Sequence, residues 1–402
     1  MEWNPMTPRQ KMLSLKRGFL LAIAAIIAMA GLPPPARAEL SSIPPVSALN
    51  KMENARAMGM GGAGVALGGD AGLVWLNPAS AFGTNPSTIS FTGQQGVFGE
   101  TIGQAVSTFK QDWGVLILSA GYYNAGDTKL TASDFTSRTV NTQRDFVGGA
   151  GFAASPMAGS PLGAAIKYLD TQLAEEFRSG TITADIGGQF AISDSVKTGV
   201  AIRNIGGSYR YAGDNTPAPT SITLGLAVLM RASEGIGTLI TGDDVAILAA
   251  DTENRLNASL LSVQAGIEYR TLKILSIRVG TRQNPGAGIS SYSAGLGLMF
   301  KAPVGGKETM FRIDYAYQFG EMAFVQPHIL GLTIEFGGVS RVSGDGESAV
   351  PAESGIPDQI YEAAPSMPIF PENILTTPPP TEQLPATESV PGTPPNQPNP
   401  AP

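Results

Sequence analysis

The residues of this chain with the means to do chemistry are mostly charges set into alternating segments. Arg203, Glu268, Arg270, Arg278, Arg282, Arg312, Asp314 and Glu335 each take the polar phase of a stretch whose other phase is apolar, as in Phe311-Arg312-Ile313-Asp314-Tyr315-Ala316-Tyr317. Side chains alternate between the two faces of a strand, so these charges share one side of the sheet they build. Such a set can pair with carboxylates into a ladder that anchors a neighbouring segment, or it can hold an anionic group. Both uses stay open from the residues alone, with Arg56 and Asp70, from a preceding glycine-rich run, as partners for the first.

Catalysis has little to work with. The chain has one histidine, His328, and no cysteine. A serine nucleophile needs a base beside it, and there is neither a G-x-S-x-G elbow nor a set of residues at metal-ligand spacing. The run Gly59-Met60-Gly61-Gly62-Ala63-Gly64 has the letters of a dinucleotide-binding turn. That turn requires a hydrophobic strand before it, a helix after it and an acid about 20 residues on. Met52 to Met58 is polar and mixed, and the first acid is Asp70. No catalytic residue, metal or cofactor is therefore expected, and His328 is read as a rim residue hydrogen-bonded to a neighbouring strand.

The elements that must position the charges are strands. Alternating segments fall at 87–93, 103–110, 114–123, 146–154, 162–169, 180–190, 196–203, 220–230, 237–247, 262–270, 274–282, 291–300, 309–318 and 328–336. Their number, fourteen, is even, as single-chain bacterial membrane barrels require. Only 15% of the residues are charged while 49 are glycine, which suits an apolar lipid face and a wall that bends. The expectation is an all-β fold, a transmembrane antiparallel β-barrel of about fourteen strands over residues 87–337; a soluble β-sandwich would alternate too. A charge on the lipid face of a barrel costs about 2–4 kcal/mol at the bilayer midplane, so the eight charges are expected to face the lumen. Gly163, Ala165, Thr183, Gly187, Gly225, Ala227, Ser293, Gly295 and Gly297 share that inward phase and leave room there. Aromatic girdles are expected from Phe190, Tyr269, Phe300 and Phe336 at one rim and from Tyr122, Tyr123 and Tyr168 at the other. Long connections are expected to alternate with short ones, exterior loops with periplasmic turns.

What fills the lumen is expected to be the segment 39–86. Glu53 to Phe82 holds seven glycines in thirty residues, and glycine costs roughly 0.5–1 kcal/mol against alanine in a regular element. So dense a run suits backbone passing close to other backbone, as in a hatch threaded inside a barrel. In that position valine at Gly62 would be excluded and alanine tolerated. Residues 1–38 read as an export signal, with Lys11, Lys16 and Arg17 before an apolar run from Phe19 to Leu32 and an Ala36-Arg37-Ala38 cleavage site. Residues 338–402 read as a disordered, acidic, Pro-rich periplasmic tail; 15 of the 31 prolines lie there, and Arg341 is its one basic residue.

Ala55-Arg56-Ala57-Met58-Gly59-Met60-Gly61-Gly62-Ala63, then Asp70 and Asn77-Pro78-Ala79, resembles the N-terminal segment of FadL-like outer-membrane proteins, in particular their PorV/PorQ branch. The stretch Arg312 to Tyr317 followed by Phe319-Gly320-Glu321 and His328 is similar to the last two strands of PorV-like proteins. The resemblance covers about residues 50–337; it departs in the long tail and in Ile329, where a basic residue often stands. It implies a hatch of Arg56, Gly59, Gly61, Gly62, Gly64, Asp70, Asn77, Pro78 and Ala79 inside a fourteen-stranded barrel in the outer membrane. The implied function is passage or binding of hydrophobic or amphipathic small molecules; the alternative is a PorV/PorQ-like partner in protein secretion and surface attachment. The implied partners are outer-membrane lipid, the barrel-assembly machinery through the last strand, a hydrophobic ligand, and a periplasmic or secreted protein, with no nucleic acid.

Overall fold

The computed structural model describes residues 48–336, apart from 85–86, 97–98, 132–134, 212–213, 232–243, 257–259, 286–288 and 321–327. The signal segment 1–38 and the tail from residue 338 lie outside the described residues.

Among the described residues eighteen strands follow one another: β1 Ser87–Gln95, β2 Thr101–Gln111, β3 Gly114–Asn124, β4 Asp127–Thr131, β5 Ser137–Asn141, β6 Gln143–Ala154, β7 Leu162–Leu173, β8 Phe177–Ser193, β9 Val196–Ile205, β10 Ser208–Tyr211, β11 Asp214–Pro217, β12 Ser221–Arg231, β13 Val245–Arg255, β14 Leu260–Thr271, β15 Leu275–Asn284, β16 Ile289–Val304, β17 Lys307–Gly320 and β18 His328–Phe336. Fourteen of them close into an antiparallel barrel, with β1 pairing β18; β4–β5 and β10–β11 form separate two-stranded hairpins. Closure leaves no unpaired sheet edge.

The alternation seen in the sequence is the alternation of the wall. Outward positions carry Leu116, Leu118, Ile166, Ile182, Leu224, Leu226, Ile277, Val279, Leu296, Leu298 and Leu330, all exposed, whereas inward positions are buried. The exterior is thus an apolar belt, bordered at both rims by paired rings: Trp113 with Phe152 and Phe300 with Phe311 at the rim holding the start of β1 and the end of β18, Tyr122 with Phe146 and Tyr292 with Phe319 at the other. Such a surface suits lipid. Tyr123 does not belong to the girdle. It is buried inside, where its hydroxyl meets Glu100 and Lys51 lies over its ring.

Two other expectations change. The strand expected at 237–247 is β13, Val245–Arg255; most of the expected range lies outside the described residues. Val245 to Ala250 is continuously apolar and gives no phase, while Asp251 and Glu253 resemble a loop until their side chains are seen to face inward. The long/short alternation of connections holds only in part. Several strands run further than their alternation shows, so β7 and β8 are joined by a tight turn in which Ala174 and Glu175 have positive φ. At that rim two excursions fold back as the hairpins β4–β5 and β10–β11, while β12 ends and β13 begins at the opposite rim.

Candidate functional site

Among the described residues the N-terminal hatch lies inside the barrel as four short helical pieces, the 3₁₀ turn Ala48–Asn50 and three more that are each started by a capping side chain. Asn54 accepts from Ala57 N and opens the helix α1, Ala55–Gly59; Asp70 accepts from Gly72 N and opens the 3₁₀ turn Ala71–Trp75; Asn77 accepts from Ala79 N and opens Pro78–Ala81. Asn and Asp are favoured at such caps because their oxygens satisfy the free N–H groups of the first turn. Asn77 also donates to Val65 O and to Gly188 O of β8, at 2.9 and 3.2 Å, and so ties the hatch to the wall.

Glycine meets backbone on both sides. A Cβ on Gly280 would strike Met60 and Gly61, one on Gly199 would strike Val65, and one on Gly163 would lie 2.5 Å from Ala79 N. The small inward side chains read from the sequence are therefore filled against by the hatch itself. Gly61 and Gly62 have φ of 73° and 92°, a region open to glycine and strained for other residues. A Cβ at Gly62 would also collide with the Arg282 guanidinium. Alanine at Gly62 is thus strained too, which corrects the expectation that only bulk is excluded there.

Toward β14–β18 the hatch is held by charge. Arg56 meets Glu268 with two hydrogen bonds, 2.8 and 3.0 Å, and reaches Asp70 at 3.2 Å. Asp70 accepts from Arg312 at 2.7 Å, Arg312 meets Asp314 at 2.8 Å, Asp314 meets Arg278 at 2.7 Å, and Arg278 returns to Glu268 at 2.6 Å. Six alternating charges thereby close a ring, two from the hatch and four from the wall. Arg270 joins it at Glu268, and Glu335 acts on Arg312 from β18. Burial pushes the Asp70 carboxyl up, but Arg312 and Arg56 outweigh it and hold its pKa at about 2.

A second charged strip lies on β9 to β15. Arg203 pairs with Glu253 and donates to Trp75 O, Arg282 pairs with Glu53 of the hatch, and Asp251 accepts from Gly64 N and Val65 N at 2.6 and 2.9 Å. Asp251, Glu253 and Glu53 were not among the sequence candidates. The first two were hidden by the misplaced strand; Glu53 sits before the glycine run with no periodicity to flag it. Asp145, which accepts from Ala48 N at 2.8 Å, and the buried pair Lys167–Asp185 at 2.7 Å were also missed. The inward phase of β6 to β8 would have flagged these.

Toward β2–β7 the contact is mainly apolar, with single polar ties beside it from Gln104 of β2 to Glu53 O and from Ala48 N to Asp145 of β6. Leu49, Met52, Val74 and Trp75 of the hatch pack with Ile102, Val106, Val115, Ile117, Val147 and Leu169 of the wall, and Tyr209 of the β10–β11 hairpin joins the same cluster. Gly59 lies against Arg278, and Gly64 packs within the hatch against Leu73 and Leu76. His328 stands apart from all of this. It is exposed at the rim of β18, its Nδ1 2.8 Å from the Tyr315 hydroxyl.

A closed barrel with an apolar outer belt, a charged lumen and its own N-terminal hatch inside defines a plugged membrane barrel. No protein-family model matches the chain, and no curated protein matches it in sequence. Solved structures similar to it include the CymD monoaromatic hydrocarbon channel, 13% identical over 71% of this chain and 97% of that one, TM-score 0.46. The Ralstonia pickettii toluene transporter TbuX is 11% identical over 70% and 96%, TM-score 0.45. A Pseudomonas aeruginosa FadL homologue is 11% identical over the same shares, TM-score 0.40.

Proposed function

We propose that the protein is a FadL-like outer-membrane barrel that passes hydrophobic or amphipathic small molecules beside its hatch. The observation that carries this is the uneven seating of the hatch. One side is fixed by a closed ring of ion pairs, while the other rests on a mainly apolar seam against β2–β7 with only single hydrogen bonds beside it. Apolar contact is non-directional, so a hydrophobic passenger replaces it at little cost, whereas the ion pairs hold the hatch within the lumen. In this reading the rim of the two small hairpins faces the exterior, and the last strand, ending at Phe336, is what barrel-assembly machinery reads. The narrower PorV/PorQ-like role rests on sequence resemblance in the hatch and in β17–β18. Those residues serve hatch docking and wall pairing here, and no surface among the described residues favours a secretion partner.

The chain has no cysteine, so a single engineered disulfide can pin the seam. A Cβ at Gly121 of β3 would lie 3.7 Å from Cγ of Met52, close enough for Met52→Cys with Gly121→Cys to bridge. Oxidised protein in liposomes should fail to admit a lipophilic dye, and reduction should restore entry. Equal entry in both states would overturn the seam as the path.

A further inference from the structure

The lipid face of the barrel is almost free of charge. Among the described residues the outward phase of its fourteen strands carries four charged side chains, and one of these, Lys307, flanks the turn between β16 and β17 at the rim of Phe336. The other three, Arg144, Asp170 and Arg178, are neighbours at the opposite rim. Arg144 of β6 stands opposite Gln172 of β7, and Gln172 opposite Arg178 of β8, so the two arginines share one row, two strand spacings or about 10 Å apart. Asp170 lies one outward step below that row and accepts two hydrogen bonds from Arg178, at 2.9 and 2.7 Å. Arg210 of the β10–β11 hairpin is exposed close by, its backbone N–H 2.9 Å from Ser179 Oγ.

The rings beneath fix the depth of this row. The next outward residue after Arg144 is Phe146, which pairs with Tyr122 in the girdle and stands opposite Asp170. Tyr168 comes below Asp170, and its hydroxyl is 2.6 Å from where a Cβ at Gly180 would be, so that glycine leaves the ring room to lie along the wall. Ile166 and Ile182 follow further down, both exposed. A charge on a barrel's lipid face is costly at the bilayer midplane and nearly free at its edge. The row therefore sits at the level of lipid head groups, with aromatic and then aliphatic side chains at the level of acyl chains.

Its arginines are open to an anion. Arg144 and Arg210 have no carboxylate partner among the described residues, and Arg178 keeps N–H groups beyond the two bonded to Asp170. The acids nearby are engaged: Glu176 pairs with Arg138, and Glu175 accepts from Asn141 N. A guanidinium fits a phosphate with two parallel hydrogen bonds. We propose that the arginines flanking Gln172 bind the phosphate of an outer-leaflet lipid, whose acyl chains lie along Tyr168, Ile166 and Ile182. The choice of leaflet rests on the orientation given above, with the hairpin rim outside. The binding itself is separate from passage, because these side chains lie outside the lumen.

The test is native mass spectrometry of the full chain in a phosphate-free detergent, titrated with dioleoyl phosphatidic acid. Saturable binding is expected, and dioleoylglycerol, with the same chains and no phosphate, should bind at least tenfold more weakly. Arg144→Gln should weaken phosphatidic acid about tenfold, as expected for one lost charge-assisted contact. Asp170→Asn, which frees Arg178, should tighten it. Lys301→Gln with Lys307→Gln, at the other rim, should bind as wild type. Each variant is first checked for the compact band of an unheated folded barrel. Dioleoylglycerol binding as tightly, Arg144→Gln binding unchanged, or the lysine pair weakening the lipid as much as Arg144→Gln would overturn the site. Inorganic phosphate displacing the lipid at equal concentration would overturn a lipid as the source of the phosphate. Wild-type protein that admits the lipophilic dye but binds no phosphatidic acid would remove this inference alone, and the reverse result would remove passage and leave the row standing.

Discussion

The two sides of the hatch are attached by opposite physics. Toward β14–β18 each contact has a direction and a partner: Arg56 fits Glu268 with two parallel hydrogen bonds, and the ring through Arg278, Asp314, Arg312 and Asp70 closes in only one register. Toward β2–β7 the hatch chiefly presents Met52, Val74 and Trp75 to a wall of Ile, Val and Leu, and its polar ties there, Ala48 N to Asp145 and Gln104 to Glu53 O, are single hydrogen bonds and not a closed network of charges. Buried ion pairs add little net stability over apolar groups of the same shape, because desolvation consumes much of the Coulomb gain. What they supply here is register. They seat the hatch at one place and one angle, and leave to the apolar side the contact that a passenger can exchange.

That difference predicts very unequal responses to single substitutions. Glu268 touches Arg56, Arg270 and Arg278, so Glu268→Ala leaves three guanidinium groups short of a partner, those of Arg56 and Arg278 buried. Breaking a buried pair from one side costs about 3–5 kcal/mol. The barrel should still give its compact band on unheated gels, but trypsin should cleave at Arg56, which is buried in the docked hatch. If Ile117→Ala, on the apolar side, exposes Arg56 as strongly, the two attachments are equivalent and the comparison breaks.

The pH dependence sharpens the same contrast, because Asp70 belongs to the hatch and has no counterpart on the apolar side. Its carboxyl sits at about 2 when docked, against an ordinary value of 3.8. A depressed carboxylate contributes fully above its free value and loses that contribution as pH falls through the docked one. The shift corresponds to about 2 kcal/mol, lost between about pH 4 and pH 2. Cleavage by an acid-active protease should rise through that window in wild type. In Asp70→Asn the hatch should already be loosened at pH 7 and change less on acidification. A flat wild-type profile would mean that the guanidinium groups of Arg56 and Arg312 do not act on the carboxylate as the ring requires.

The ionic side was more legible in the sequence than the rest of the lumen, for a physical reason. In β14, β15 and β17 a charge at every second position between apolar residues has one reading, since charge on the lipid face is too costly, and Glu268, Arg278, Arg312 and Asp314 fall inward accordingly. Arg56 and Asp70 stood out as isolated charges in a run of small residues. The carboxylates of β13 do not, because an unbroken apolar run ahead of Asp251 carries no phase and places the strand several residues too early. Tyr123 has the sequence position of a girdle residue, because a tyrosine near a strand end fits a membrane interface. Its inward partners, Lys51 and Glu100, come from segments whose position only the tertiary fold supplies. The glycines announced close backbone contact correctly, but the positive φ at Gly61 and Gly62 follows from where α1 ends and has no signature in composition.

The smallest effect is expected at Trp75, and it tests whether the apolar side is as undemanding as its composition implies. The ring is 4% exposed among aliphatic neighbours, and its indole N–H has no acceptor among the described residues. An unpaired buried donor costs about 1–3 kcal/mol, so Trp75→Phe relieves that cost while giving up part of the ring's packing area, worth about 25 cal/mol per Å². The two terms oppose each other and should leave docking within about 1 kcal/mol of wild type. The backbone tie from Arg203 to Trp75 O survives the change. Trypsin should therefore cleave at Arg56 no faster in Trp75→Phe than in wild type. Cleavage as fast as in Glu268→Ala would show that the indole holds the hatch through a specific bond, and the apolar seam would then be as directional as the ring of charges it faces.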